Sequence, residues 1–289
     1  MKVCIIVFSP SGHTLQVSEK MKTFMIDKGM EVQLLDITRK KEISRESWLK
    51  EYLEREVQPH DLLCIGGPVY AGHLESNVKK IINCLPSVNS KCSSLAIPFV
   101  TYGGLHSSIA LSEAGELLFR NGRKNMSGMK ISAFHTLTVT LEKQINQGKP
   151  NEEDEKVILK LINRITNLIK TKEQIKDVRK AFSYAPLIEK LAFNILSQDF
   201  FHKNYRTVSI DKDKCIGCGK CINGCPVNML ELINKKADIT NDLNKCILCA
   251  ECFHNCPVNA IKYPYLSVVK NRLEKEPRLE IHQSEVYPV

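Results

Sequence analysis

Two copies of one cysteine spacing limit what this chain can fold into. Eight of its twelve cysteines follow the pattern C-x2-C-x2-C-x3-C-P, once and then again. The first copy contains Cys215, Cys218, Cys221 and Cys225, and the second contains Cys246, Cys249, Cys252 and Cys256. Thiolates at this spacing wrap a short loop around a cube of iron and sulfide. The repeat therefore predicts two 4Fe-4S clusters and electron-transfer chemistry.

The repeat resembles the bacterial two-cluster ferredoxins, in which the fourth cysteine of each run binds the other cluster. The resemblance implies that cluster one is bound by Cys215, Cys218, Cys221 and Cys256. Cluster two is then bound by Cys246, Cys249, Cys252 and Cys225. The alternatives are zinc, which is typically bound by two separated C-x2-C pairs, and a disulfide framework, which requires an oxidising compartment.

The first 172 residues alternate β-branched apolar runs with amphipathic segments. Strands are predicted at 2–8, 31–36, 61–66, 95–101 and 131–140. Helices are predicted at 15–28, 43–56, 74–84, 108–121 and 152–170. Five strands that alternate with helices predict a parallel sheet, and ligands of such sheets bind at the carboxyl ends of the strands.

A hydroxyl-rich turn follows the first predicted strand. It consists of Ser9, Pro10, Ser11, Gly12, His13 and Thr14. Backbone N–H groups, hydroxyls and the positive end of a helix dipole suit such a turn to a phosphate. The turn lacks the Gly-Lys-Ser/Thr of a P-loop, and the chain contains no G-x-G-x-x-G fingerprint for a dinucleotide.

Two further strand ends combine an aromatic ring with glycines, which let a backbone approach a flat ligand. The loop after the third strand contains Pro68, Val69, Tyr70, Ala71 and Gly72. The loop after the fourth contains Thr101, Tyr102, Gly103 and Gly104. Together with the hydroxyl-rich turn, these loops predict a site for a phosphate and an isoalloxazine ring, although ordinary turn glycines would give the same pattern.

This first region resembles the flavodoxins. Ser9, Ser11, Gly12 and Thr14 match the phosphate loop of that family, with Ser11 in place of a threonine, and the Gly-x-Pro-x-Tyr-x-Gly loop resembles that of flavodoxin-like reductases. The resemblance implies a doubly wound five-stranded parallel α/β sheet of order 2-1-3-4-5 that binds FMN. It also implies that the second and third loops flank the flavin, with either Tyr70 or Tyr102 stacking on it.

With the cysteine repeat, the whole chain is similar to the flavodoxin and ferredoxin fusion proteins of anaerobes. We expect a flavodoxin-like FMN domain at 1–172, an amphipathic helical connector at 173–206 and a small α+β ferredoxin domain at 207–266. A polar, loosely held tail would occupy 267–289. The connector helix would pack the two domains together, dock on a membrane or partner, or wall a pocket over the flavin with Phe200 and Phe201.

Two histidines that follow the flavin loops, His73 and His106, are candidate proton donors. The formal charge of +9 treats cysteine as neutral. Two clusters at about −2 each and an FMN phosphate bring it near +3, and no arginine-rich aromatic patch is visible, so we do not expect nucleic acid as a partner.

The chain has no apparent signal peptide or apolar span, which favours the cytoplasm and argues against a membrane protein. The oligomeric state, including a homo-oligomer, stays open. A low-potential redox protein would supply electrons, which pass through the clusters to FMN. Two outcomes stay open: reduction of a small electrophilic acceptor such as a quinone, enone or nitro compound, or delivery to a partner protein by a carrier without its own substrate.

Overall fold

The computed structural model describes residues 1–40, 43–142, 144–171, 175–195, 208–240, 246–264, 266–267, 270–271 and 283–288. The strands of the first domain are β1 Lys2–Val7, β2 Glu31–Asp36, β3 Leu62–Tyr70, β4 His73–Leu74, β5 Leu95–Tyr102, β6 Lys124–Asn125 and β7 Gly128–Ser132. Its helices are α1 His13–Asp27, α2 Glu46–Glu56, α3 Ser76–Asn83, α4 Ala110–Arg120 and α5 Glu152–Lys170.

The five longer strands run parallel in the order β2-β1-β3-β5-β7. Counted along the chain, this is the predicted 2-1-3-4-5 order, and the flavodoxin-like fold class is confirmed. The strand order reverses between β1 and β3, so the carboxyl ends of these strands border the crevice where ligands of doubly wound sheets bind.

Two of the predicted strands have different ends in the structure. β3 runs on to Tyr70 because it turns back as a hairpin with β4, with Tyr70 opposite His73. β7 spans Gly128–Ser132, so the prediction of a strand at 131–140 was correct only for its first two residues and wrong for 133–140. There the Thr138 hydroxyl donates to the His135 carbonyl (2.7 Å) and accepts the Ile145 N–H (3.1 Å), which stabilises a loop with one 3-10 turn instead of a strand.

The end of the predicted tail belongs to the sheet. β12, Glu285–Tyr287, pairs antiparallel with β7 and covers its outer edge. The Ser127 hydroxyl donates to the Tyr287 carbonyl (2.7 Å), and Arg164 donates to the Pro288 carbonyl (2.9 Å). An edge strand needs a partner or a cover, so this segment is held firmly, contrary to the expectation of a loose tail.

Two apolar layers sandwich the sheet. On one side α1 and α5 bury their apolar faces, and the burial of Ile158, Leu161, Ile162 and Ile165 in α5 stabilises the fold by about 1.5–3 kcal/mol for each side chain. The layer on the other side contains α2, α3 and α4 and is continuous with buried residues of the cysteine-rich region. The two domains therefore share one core.

The cysteine-rich region is a small α+β unit. β8 Ser209–Ile210 pairs with β11 Ile261–Lys262, and β9 Leu230–Ile233 forms a hairpin with β10 Lys236–Ile239. Each cysteine run contains one short helix, Lys220–Gly224 in the first and Glu251–His254 in the second. Each helix begins two residues after the second cysteine of its run and contains the third.

The predicted connector helix is α6, Leu187–Ile195, whose Phe193 ring is buried. Phe200 and Phe201, which were expected to wall a pocket, lie outside the described residues. Among the residues that the structure describes, no helix has both the length and the apolar character that crossing a membrane requires.

Candidate redox site

The two cysteine runs adopt the same backbone conformation. Gly217 and Gly219 flank the second cysteine of the first run with left-handed φ angles of 69° and 73°. Leu248 and Ala250 occupy the same positions in the second run with φ angles of 57° and 64°. This conformation is unfavourable for residues with a Cβ, so Leu248 and Ala250 are strained positions of the kind that is common at binding sites.

The four predicted ligands of cluster one surround one cavity. Cys215, Cys218, Cys221 and Cys256 all line it, although Cys256 belongs to the other run. The Cys215 sulfur accepts the Ala237 N–H (3.3 Å), and the Cys256 sulfur accepts the Ala260 N–H (3.2 Å). Such N–H···S bonds stabilise a thiolate, and the bond from Ala237 is the main cause of the lowered pKa of Cys215.

The four predicted ligands of cluster two also lie together. After burial, Cys225 is a further cause of the raised pKa of Cys246, and Cys246 is one for Cys249. The pKa of Cys252 is raised by Cys246 and Cys225, and also by Cys221 of the neighbouring set. The Cys225 sulfur accepts the Met229 N–H (3.4 Å), four residues further on, as Cys256 does with Ala260. Burial raises the pKa of the Cys249 and Cys252 thiols, so metal binding here displaces protons and becomes pH-dependent.

The chemistry of the thiols fits a polynuclear cluster better than a single ion. All eight cysteines of the runs are free thiols. Two sets of four thiols, each drawing on both runs, suit the larger 4Fe-4S cube, so the donors fit the predicted cofactor.

The hydroxyl-rich turn opens α1. Gly12 is its N-terminal cap, with a left-handed φ of 87° and no atom within 4 Å of the position a Cβ would take. The N–H groups of His13 and Thr14 have no acceptor among the described residues. This end of a 15-residue helix carries no acidic side chain in its first turn. An anionic phosphate fits these N–H groups and the open space beside Gly12.

Two hydroxyls of the turn hold neighbouring loops in place. The Ser9 hydroxyl accepts the Leu15 N–H (2.9 Å), and the Ser9 N–H donates to the Thr38 hydroxyl (2.7 Å). The Thr14 and Thr101 hydroxyls are 2.6 Å apart and buried. This last bond joins the first flavin loop to the third. Ser11 is half-buried, and no side-chain bond of its hydroxyl is recorded within the described part of the chain.

The second loop is a two-residue hairpin turn. Ala71 and Gly72 both have positive φ angles, 50° and 77°, as the tightest hairpin turns require. Tyr70 is half-buried at the end of β3, with Val69 beside it. Burial raises the pKa of the Tyr70 phenol, and the neighbouring Cys249 thiol raises it further. The residue predicted to flank the flavin and a predicted ligand of cluster two therefore pack against the same core.

The third loop differs from the second in its tyrosine. Tyr102 is only 2% exposed, and its hydroxyl donates to the Gln283 carbonyl (3.0 Å) beneath the C-terminal strand. A ring held in this way has no open face for a flavin. Of the two tyrosines that sequence left undecided, the geometry therefore favours Tyr70.

Three glycines of the loops have a packing explanation that sequence did not indicate. A Cβ at Gly72 would lie 2.5 Å from the Phe193 ring, and one at Gly103 would lie 2.6 Å from the His135 ring. At Gly104, where φ is 85°, it would lie 2.2 Å from the Asn146 amide. The close approaches expected for a flat ligand are made here by the protein's own side chains. Among the glycines of these three loops, Gly12 alone has no atom within 4 Å of the position of a Cβ.

Both candidate proton donors contact the connector helix. His73 is buried, and its ring nitrogens are 2.9 Å from the Glu113 carboxylate and 2.9 Å from the Phe193 carbonyl. The His106 ring lies 5.0 Å from the Phe193 ring, and its Nδ1 is 3.9 Å from the Glu189 carboxylate. These contacts give the two histidines a role in anchoring α6 beside the second loop.

A fourth strand-end loop, after β2, contributes residues that the sequence analysis missed. The Arg39 N–H donates to the Pro226 carbonyl (3.1 Å), and the Asn228 amide donates to the Arg39 and Lys40 carbonyls (3.3 and 3.2 Å). Because all parallel strands end at one edge of the sheet, the position of this loop could have been anticipated. The contact of this loop with the cysteine region could not have been anticipated, because no sequence pattern indicates that contact.

Comparisons with known proteins find similarities in both parts of the chain. A model of the 4Fe-4S dicluster domain family matches residues 208–263. The chain combines a flavodoxin-like fold with a ferredoxin-type region. Ferredoxin-2 of Desulfomicrobium norvegicum is 58% identical over 31 residues, which are 11% of this chain and 52% of the relative. Ferredoxin-3 of Nostoc sp. is 53% identical over 36 residues, or 12% of this chain and 37% of the relative.

The chain thus spans about half or less of the ferredoxins it matches. Among solved structures, oxidised Flavodoxin 1 from Bacillus cereus has a TM-score of 0.41 and 16% identity, and the match covers 58% of this chain and 98% of that one. A flavodoxin from the domain Archaea has a TM-score of 0.39 and 17% identity, with 59% and 99% covered.

Proposed function

We propose that the chain is an iron-sulfur flavoprotein that reduces a small electrophilic acceptor, such as a quinone, enone or nitro compound. Electrons from a low-potential redox protein would reach FMN through two 4Fe-4S clusters. FMN, when bound, supplies the step from single electrons to a pair. The observation that carries the proposal is the position of Tyr70, which belongs to a flavin loop and packs, as Cys249 does, against the core that the two domains share.

The phosphate of FMN would be held at the amino end of α1. The N–H groups of His13 and Thr14, the hydroxyls of Ser11 and Thr14 and the space beside Gly12 form its site. Thr101 can donate its hydroxyl proton to Thr14, which leaves the Thr14 proton for a phosphate oxygen. Tyr70 would flank the ring, and Val69, Ala71, Gly103 and Gly104 would border it.

The exposure of the cysteines supports cluster one as the entry point. Of its four predicted ligands, Cys218 is exposed, and the nearby Ile216 side chain is 64% exposed. No predicted ligand of cluster two is exposed, since two are buried and two are half-buried. A donor protein can therefore approach cluster one, and cluster two faces the flavin loops. The second candidate function, a carrier that delivers electrons to a partner protein, uses the same arrangement up to the flavin.

Anaerobic purification of the full chain tests the cofactors. We expect about eight iron atoms, a matching amount of sulfide and one FMN per chain. Zinc without sulfide would refute the cluster assignment, and absence of FMN after reconstitution would refute the flavin assignment. Reduced holoprotein is then mixed with a panel of quinones, enones and nitro compounds. Reoxidation by a panel member supports the reductase, whereas transfer only to a partner flavoprotein supports the carrier.

A further inference from the structure

Arg39 adopts a backbone conformation that non-glycine residues disfavour. Its φ of 62° lies in the left-handed region, in the loop that follows β2. On one side Thr38 accepts the buried Ser9 N–H, and on the other Asn228 donates to the Arg39 carbonyl. A strained residue that is fixed by contacts on both sides is a candidate for a functional role.

The side chain of Arg39 reaches the phosphate loop. Its Nη2 donates to the Pro10 carbonyl at 3.4 Å. The six residues 9–14 include no lysine or arginine, so the loop itself contributes no permanently charged side chain. A phosphate monoester carries about −1.5 to −2 charges at neutral pH. The guanidinium of Arg39 is therefore a cation at the site where the FMN phosphate would bind.

The backbone of Arg39 reaches cluster two. Its N–H donates to the carbonyl of Pro226, the residue after Cys225. The segment that follows Cys225, a predicted ligand of cluster two, is thus hydrogen-bonded to this one residue from both Pro226 and Asn228.

We propose that Arg39 is a positioning residue shared by the flavin phosphate site and cluster two. The inference rests on the proposed function. A fixed cation between two anionic groups stabilises both, and it favours the more negative, reduced state of the cluster. Its backbone contact with Pro226 keeps the cluster loop against the flavin domain, so the two sites are held in register by the same residue.

The test uses the iron-loaded full chain and four variants. Arg39→Gln removes the cation, Arg39→Lys keeps it, and Asn228→Ala weakens the loop contact while keeping the cation. Arg55→Ala is the control. The Arg55 side chain is 63% exposed and pairs with Glu56 in the last turn of α2. This turn leads into the amino end of β3, whereas the flavin loops lie at the carboxyl ends of the strands. FMN dissociation constants come from fluorescence titration, and cluster potentials from anaerobic redox titration of the FMN-free form.

We expect Arg39→Gln to weaken FMN binding about tenfold and to make the potential of cluster two more negative, with that of cluster one unchanged. Arg39→Lys should recover most of the affinity, and Asn228→Ala and Arg55→Ala should bind FMN as the wild type does. Wild-type FMN affinity in Arg39→Gln would overturn the proposal, and so would an equal loss in Asn228→Ala. A wild-type chain that binds neither iron nor FMN would instead overturn the proposed function.

Discussion

The buried bond between Thr14 and Thr101 gives the sharpest prediction about the flavin site. The two oxygens are 2.6 Å apart, and the residues are 2% and 3% exposed. Replacing Thr14 by valine keeps the shape but leaves the Thr101 hydroxyl buried without its partner. A buried polar group that loses its partner costs about 1–3 kcal/mol. For a domain of this size, a loss near 2 kcal/mol lowers the melting temperature by roughly 4–8 °C.

The double variant Thr14→Val with Thr101→Val separates stability from binding. Replacing both partners by apolar groups of the same shape is nearly neutral, so most of the lost stability should return. FMN affinity should stay low, because the Thr14 hydroxyl is still missing. The matched control is Thr14→Ser, which keeps the hydroxyl and should keep the affinity.

Stability is measured on the FMN-free, iron-loaded chain by urea unfolding. The fluorescence of Trp48, the only tryptophan, reports on α2 of the flavodoxin-like domain. If the double variant is destabilised by the sum of the two single changes, the two hydroxyls do not interact as described. If its FMN affinity recovers together with its stability, Thr14 does not bind the phosphate.

Three further predictions concern other parts of the site. Cys256→Ala should lose cluster one, and Cys225→Ala should lose cluster two. Each change should lower the iron content from about eight to about four atoms per chain. If each variant instead loses the spectrum of the other cluster, the interleaved assignment is refuted. Tyr102→Phe should bind FMN normally but lose about 1 kcal/mol of stability with its bond to Gln283, whereas Tyr70→Ala should weaken FMN binding; the reverse result would make Tyr102 the stacking residue. Burial lowers the pKa of His135 to about 4, so the folded state binds fewer protons than the unfolded state between pH 4 and 6.5. The free energy of unfolding should therefore fall by at most about 3 kcal/mol as the pH drops through this window. His135→Gln should reduce this loss of stability between pH 6.5 and 4, as measured by urea unfolding. If the loss is unchanged in the variant, groups other than His135 cause it.

Local patterns predicted the sheet well because its strands are short apolar runs that end at clear turns. Lys2–Val7 and Glu31–Asp36 lie within one residue of their predicted limits. The fifth strand was too long in the prediction because the alternating threonines after Ser132 suit a strand as well as a turn. What decided against a strand was Thr138, whose hydroxyl bonds within its own loop.

The contacts between distant segments were not predictable from one sequence. β12 reads as a polar tail, and only its pairing with β7 shows why the chain returns to the sheet. Gly72 and Gly103 were interpreted through a ligand, whereas the rings that approach them belong to Phe193 and His135, far away in sequence. Arg39 carries no motif, and its contact with Pro226 arises from how the two domains pack.

The central claim is that electrons reach the flavin through cluster two. It is tested most directly by the rate of flavin bleaching when FMN-loaded chain is mixed with a reduced low-potential ferredoxin in a stopped-flow spectrometer. We predict rapid bleaching in the wild type and its loss in Cys225→Ala that still binds FMN. Bleaching of Cys225→Ala at the wild-type rate would contradict the account.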